Sequence, residues 1–201
     1  MAKTINTEAS DVRDNILQVG QRIMSGKGFS AVGLNEILTA AKVPKGSFYH
    51  YFESKDAFGV ALLSTYFDAY LADLDAVLGA PDANMATRLL RYFDVWRDNQ
   101  SFLDCQGKCL AVKLAAEVAD LSSAMRQVLD EGTAAIIARL TSALEQGVAE
   151  GSLRIDETAR QSAESLYQLW LGASIMVKIV RHGAPFEAAM RTTRRMLHLP
   201  G

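Results

Sequence analysis

The chain breaks helical continuity three times within residues 26–55, and the spacing of those breaks limits what this part can build. Gly26-Lys27-Gly28 can end a helix, because glycine accepts the left-handed backbone at a C-terminus. Lys42-Val43-Pro44 ends another, since proline disfavours helix at the residue before it. Pro44 itself suits the start of a third helix. Ser54, with Asp56 in the next turn, suits the N-cap of a long fourth one. Between the breaks only short helices fit. One carries Leu34, Ile37, Leu38 and Ala41 on its inner face, and the other occupies the stretch VPKGSFYHYFESK to about Phe52. Two short helices joined by a tight turn, ahead of a long connector, form a helix-turn-helix.

Helical spacing recurs along the rest of the chain, and no alternating apolar run bounded by turns signals a strand. Val12, Ile16, Val19, Gly20 and Ile23 mark one face of a first helix, with Thr7 or Ser10 as its expected cap. Residues 26–31 also spell G-x-G-x-x-A, but no strand precedes them, so a dinucleotide-binding turn is not implied. After the long fourth helix, stopped by Gly79-Ala80-Pro81, the spacing predicts helices over about 84–99, 107–118, 123–149, 157–182 and 186–198. The expected fold is all-α. Residues 1–55 are expected to form a three-helix head that carries the helix-turn-helix, and residues 56–201 a larger helical body.

In a helix-turn-helix the second helix lies in the major groove with its N-terminal residues at base edges. That geometry explains four rings in one short stretch. Phe48 and Phe52, four apart, face inward toward Ile16, Ile37 and Phe29. Tyr49, His50, Tyr51 and Lys55 are expected to project outward, where hydroxyl, imidazole and ammonium groups contact phosphates. Gly46 leaves no side chain at the closest approach, and Lys45 can donate to guanine O6 and N7. Charge agrees in sign. The formal net charge is −2, yet residues 1–60 hold seven Lys/Arg against six Asp/Glu, while residues 61–201 hold fourteen against seventeen.

The stretch GFSAVGLNEILTAAKVPKGSFYHYFESKDAFGVAL resembles the DNA-binding signature of the TetR family, over roughly residues 10–62. The resemblance implies an all-α homodimer that binds a palindromic double-stranded operator and leaves it when its C-terminal body receives a signal. Matched to the family's pattern, Lys45, Gly46 and Ser47 would face bases, and Tyr49, Tyr51 and Lys55 phosphates. Three residues depart from that pattern. Gly33 stands where a Ser or Thr usually caps the second helix, so only its backbone N–H can serve a phosphate. Lys42 replaces the usual turn glycine, at a cost of ~1 kcal/mol if that position is left-handed. Tyr51 replaces a histidine.

Two cysteines stand in DCQGKCLAVKLAAEVADLS. Cys105 and Cys109 make a poor zinc site, which wants four ligands, so no metal or other cofactor is expected. Cys109 could be a small buried residue. It could equally be reactive: it opens a helix and Lys108 and Lys113 flank it, both of which favour thiolate. Local chemistry leaves the two readings open. The pieces CLAVKLAAEVADLSSAMR and LWLGASIMVKI resemble the branch of the family that controls N-ethylmaleimide reductase and answers reactive electrophiles and chlorine oxidants. That resemblance makes Cys109 the sensing thiol, with Lys178 close to it; Cys105, four residues earlier, could resolve a sulfenic acid as a disulfide where the segment is not rigidly helical. The competing trigger is an apolar or aromatic inducer in a cavity lined by Tyr70, Tyr92, Trp96, Tyr167 and Trp170.

The dimer is expected through the last two long helices. Ala159, Ala163, Tyr167, Trp170, Ala173, Ser174 and Val177 on one, with Phe186, Ala189, Met190, Thr193 and Leu197 on the other, would pair into a four-helix bundle. The heads must then reach half-sites about 34–36 Å apart. An enzyme is not expected, since no G-x-S-x-G, H-E-x-x-H or P-loop occurs. A membrane is not an expected partner, because no apolar run approaches ~18 residues. MAKTINTEAS lacks the apolar core of a secretory signal, which points to the cytoplasm.

Overall fold

The computed structural model describes residues 2–100 and 110–200. Cys105 and Cys109 lie outside the described residues. Among the described residues every regular element is a helix, as the spacing predicts: α1 (Ala2–Lys27), α2 (Leu34–Ala41), α3 (Lys45–Tyr51), α4 (Lys55–Gly79), α5 (Met85–Asn99), α6 (Leu110–Leu121), α7 (Ser123–Ala149), α8 (Ala159–Val180) and α9 (Ala184–Met196). No helix of the described residues is long and apolar enough to cross a membrane. They pack as two compact units, Met1–Tyr66 with Gln106–Asp130 and Phe67–Cys105 with Glu131–Gly201.

In the first unit, Ile16, Met24, Ile37, Phe48, Phe58, Leu62 and Leu63 are fully buried. Burying each such side chain is worth about 1.5–3 kcal/mol, far more than α2 or α3 could supply as isolated helices. Phe48 meets Phe52 and Phe58 with ring centroids 5.1 and 5.5 Å away, which clamps α3 onto α4. Asn15 Nδ2 donates to the Ala41 carbonyl at 3.0 Å and ties α1 to the end of α2. Lys42 closes α2 in the left-handed region, φ 57° and ψ 40°, the conformation its missing glycine would have taken freely. Ser54 Oγ accepts from the Ala57 N–H at 3.0 Å and caps α4, as expected. The start expected for α1, at Thr7 or Ser10, is not the observed one. The helix starts at Ala2, so Thr7 and Ser10 lie within it, because their weak preference against helix interiors does not stop a helix already anchored by a buried face.

The second unit is built on aromatic rings. Phe93 stacks on Trp170 at 4.7 Å and Trp170 on Phe186 at 5.7 Å. Trp96 contacts Tyr70, Tyr92, Tyr167 and Trp170 at 5.7–6.5 Å. α8 opens with a capping box, in which Thr158 accepts from the Gln161 N–H and the Gln161 side chain answers the Thr158 N–H.

Here the sequence reading needs correcting. Ala163, Tyr167, Trp170, Ala173, Ser174 and Val177, expected at a dimer surface, are buried within the chain, as are Phe186, Ala189, Thr193 and Leu197. α8 and α9 pack on each other, and Trp170 Nε1 donates to Thr193 Oγ1 at 2.9 Å. The large apolar residues that α8 leaves in solvent are Ile175, Met176 and Ile179, 50%, 45% and 66% exposed. Periodicity marks an apolar face without naming its partner, and α8 has two such faces.

Candidate nucleic-acid interface

α3 divides its rings by the helical period. Phe48 and Phe52 point into the first unit. Lys45, Gly46, Tyr49 and His50 lie exposed, while Ser47 and Tyr51 are half-buried. Lys45 Nζ stands 5.9 Å over the Tyr49 ring and keeps the ammonium beside an aromatic face instead of a carboxylate. Tyr49 packs edge-on against Phe48 at 5.5 Å, and His50 against Tyr51 at 4.9 Å. The outward face is therefore ordered by the buried one.

Gly46 is informative because nothing inside the chain asks for it. A methyl group there would meet no protein atom within 4 Å. Glycine in a helix costs roughly 0.5–1 kcal/mol relative to alanine, so the position spends stability on open space. Gly33 is similar: it is the N-cap of α2, its side of the backbone is open, and no side chain caps the helix.

Lys55 departs from the outward placement expected of it. Its Nζ donates to the Phe29 carbonyl at 2.8 Å and lies 4.6 Å over the Phe29 ring. Partial burial lowers the ammonium's pKa, against the raising effect of the Glu117 carboxylate.

Glu117 is the residue that sequence reasoning missed. From α6 its Oε2 accepts from the Phe29 N–H at 3.0 Å and its Oε1 from the Ser30 N–H at 2.7 Å. Partial burial works against its charge, yet the Ser30 and Phe29 donors and the Lys55 ammonium outweigh burial and hold the carboxyl below the ordinary carboxylate range. The only signal in the sequence was an acid within the largely apolar run LAVKLAAEV, and spacing gave it no partner.

A model of bacterial regulatory proteins of the tetR family matches residues 16–62, and one of the tetracyclin repressor-like C-terminal domain matches residues 86–193. The chain belongs to the TetR family. The HTH-type transcriptional repressor NemR of Escherichia coli K12 is 40% identical over 190 residues, 94% of this chain and 96% of NemR. The HTH-type transcriptional repressor DhaR of Mycobacterium sp. GP1 is 31% identical over 176 residues, 88% of this chain and 87% of DhaR. The crystal structure of E. coli NemR in its reduced form superposes with a TM-score of 0.90 at 41% identity, covering 95% of this chain and 99% of that one. These relatives are transcriptional regulators, as befits a helix-turn-helix protein of this family.

Of the residues expected in sensing, Lys178 lies half-buried in the last turn of α8. The five expected cavity residues do come together, but as a mutually packed cluster. Tyr92, Trp96, Tyr167 and Trp170 are buried, and Tyr70 is half-buried. Four of them have polar atoms partnered inside: the Tyr70 and Tyr92 hydroxyls are 2.8 Å apart, Trp96 Nε1 donates to Ser174 Oγ at 2.9 Å, and Trp170 Nε1 to Thr193 Oγ1. Among the described residues no buried side-chain nitrogen or oxygen lacks a hydrogen-bond partner.

Proposed function

We propose that the chain is a homodimeric TetR-type repressor that reads a palindromic operator with α2 and α3 and leaves it when Cys109 is chemically modified. The observation that carries the DNA reading is Gly46. An exposed helical glycine with empty space around it, between Lys45 and Ser47 on a helix clamped by Phe48, fits a surface made for something outside the chain. Lys45, Gly46 and Ser47 then meet base edges. Tyr49, His50, Tyr51 and the Gly33 N–H meet phosphates. Lys55, already committed to Phe29, steadies the head more than it touches DNA. The functional division remains residues 1–55 for reading and 56–201 for sensing and pairing.

The dimer surface that the structure favours is the exposed stripe Gly172, Ile175, Met176 and Ile179, spaced i, i+3, i+4 and i+7 along α8. A second copy of this chain would cover it.

The thiol trigger rests on the likeness to NemR, a repressor crystallised in a reduced form, and on the lysines flanking Cys109 in sequence. A Cys109 thiolate adds across an activated double bond to give a thioether, or is oxidised by hypochlorite to a sulfenic acid. Lys178 as thiolate partner comes from the resemblance, and Cys105 as resolving thiol from its spacing four residues before Cys109. A packed aromatic cluster with its polar atoms partnered lends less support to an apolar inducer.

The test is fluorescence anisotropy on DNA from upstream of the protein's own gene, before and after N-ethylmaleimide or hypochlorite. Treatment should release wild type and leave Cys109→Ser bound. Equal retention of both would return the search to non-covalent inducers, and failure of untreated protein to show steeply salt-dependent binding would sink the operator reading.

A further inference from the structure

Phe29 is gripped from three directions. Its N–H is held by Glu117 Oε2 and its carbonyl by Lys55 Nζ. Its ring lies against α4, where a methyl on Gly59 would come within 2.8 Å of Phe29 Cε2. The next amide, Ser30, is held by the other oxygen of Glu117. Gly28, just before, has φ +93°, and a side chain there would come within 2.8 Å of Glu117 Oε2. The loop from which α2 starts is thus shaped around one carboxylate. That carboxylate is delivered by α6, whose first residue Leu110 follows Cys109 directly in sequence.

We propose that Glu117 is a positioning residue for operator binding, through which α6 sets the α1–α2 loop and with it the reading helices. The inference rests on the operator and thiol readings above. A carboxylate accepting two backbone N–H groups makes short charge-assisted bonds that hold both donors in one plane. No other described side chain accepts from those two amides. A shift or rotation of α6 therefore takes the acceptor away from both donors together. The head loses a fixed loop, not merely a fraction of its packing. Modification at the residue before α6 is an input of that kind.

The experiment compares wild type with Glu117→Gln in operator affinity, in the slope of affinity against salt, and in release by N-ethylmaleimide. The amide of glutamine would place a donor where an acceptor is needed. We expect untreated Glu117→Gln to bind about 10-fold more weakly, as for loss of a charged hydrogen-bond partner. Its salt slope should fall by about one phosphate contact. Treatment should release it little further than this. A loss of stability alone would not change the slope, and the unfolding midpoint is measured alongside. A Glu117→Gln protein equal to wild type in affinity and slope overturns the proposal. A variant weakened but released by the full wild-type factor overturns the link to α6.

Hydrogen exchange at the Phe29 and Ser30 amides of wild type gives an answer that needs no variant. Treated protein that has left DNA should exchange them faster, and unchanged protection there overturns the link. Wild type that stays on DNA after treatment overturns the thiol reading instead, and the untreated Glu117→Gln comparison still decides the positioning role.

Discussion

α3 and the α5–α8–α9 cluster are both rich in aromatic residues, and they spend them in opposite ways. In the cluster polar atoms turn to partners within the unit, with Trp96 donating to Ser174, Trp170 to Thr193, and the Tyr70 and Tyr92 hydroxyls facing each other. On α3 and its C-cap only Phe48 and Phe52 are buried, while Tyr49 and His50 carry their polar groups to the surface. Ring content alone therefore says little about purpose. The destination of the polar atoms separates a core from an interface, because a buried hydroxyl or indole must find a partner at home while an interface leaves it for another molecule.

The largest test of that contrast is Trp170→Ala. It should cost about 3–5 kcal/mol in thermal or urea unfolding, since the ring is fully buried between Phe93 and Phe186. A loss under 1 kcal/mol would mean the cluster is loosely packed and open to a ligand. Lys45→Ala comes next and should behave in the opposite sense. Stability should stay within about 0.5 kcal/mol of wild type, while operator affinity drops by about 1–3 kcal/mol in anisotropy titrations. Unchanged affinity would remove Lys45 from the interface.

Lys42→Gly should stabilise the head by ~1 kcal/mol, because φ 57° is costly for lysine and free for glycine. Gly46→Ala sharpens the comparison most for its size. It should raise stability by roughly 0.5–1 kcal/mol and still weaken operator binding, a divergence that a purely structural glycine would not show. The smallest effect is on pH. Glu117 has a lowered pKa in the folded chain, so its contribution is complete above the unfolded value of about 4.3 and is lost as pH falls through the folded value. Glu117→Gln should flatten that acid limb of the unfolding midpoint, and an unaltered limb would show that other carboxylates carry it.

Much of this was legible in the chain itself. Breaks at Gly28, Pro44 and Ser54 place the short helices, because each residue type acts on its own backbone. The split of α3 into inward and outward rings follows from the same local arithmetic, as does the strained turn at Lys42. What escaped is long-range. Lys55 was expected to project outward, whereas its ammonium donates to the Phe29 carbonyl, and Glu117 had no visible partner until residues 88 apart in sequence met. The face of α8 assigned to a partner was claimed by α9 and by Trp96. Periodicity reports that a face is covered, and only the folded chain reports by what.

The stripe of Ile175, Met176 and Ile179 has a bearing on dosage. If that stripe is the pairing surface proposed above, a protomer with it in water would read only half a palindrome. While pairing is weak, dimers form in proportion to the square of the protomer number, so halving expression would quarter the population able to close a promoter. The gene's own copy number and translation rate would then act as inputs to repression, alongside the chemistry proposed at Cys109.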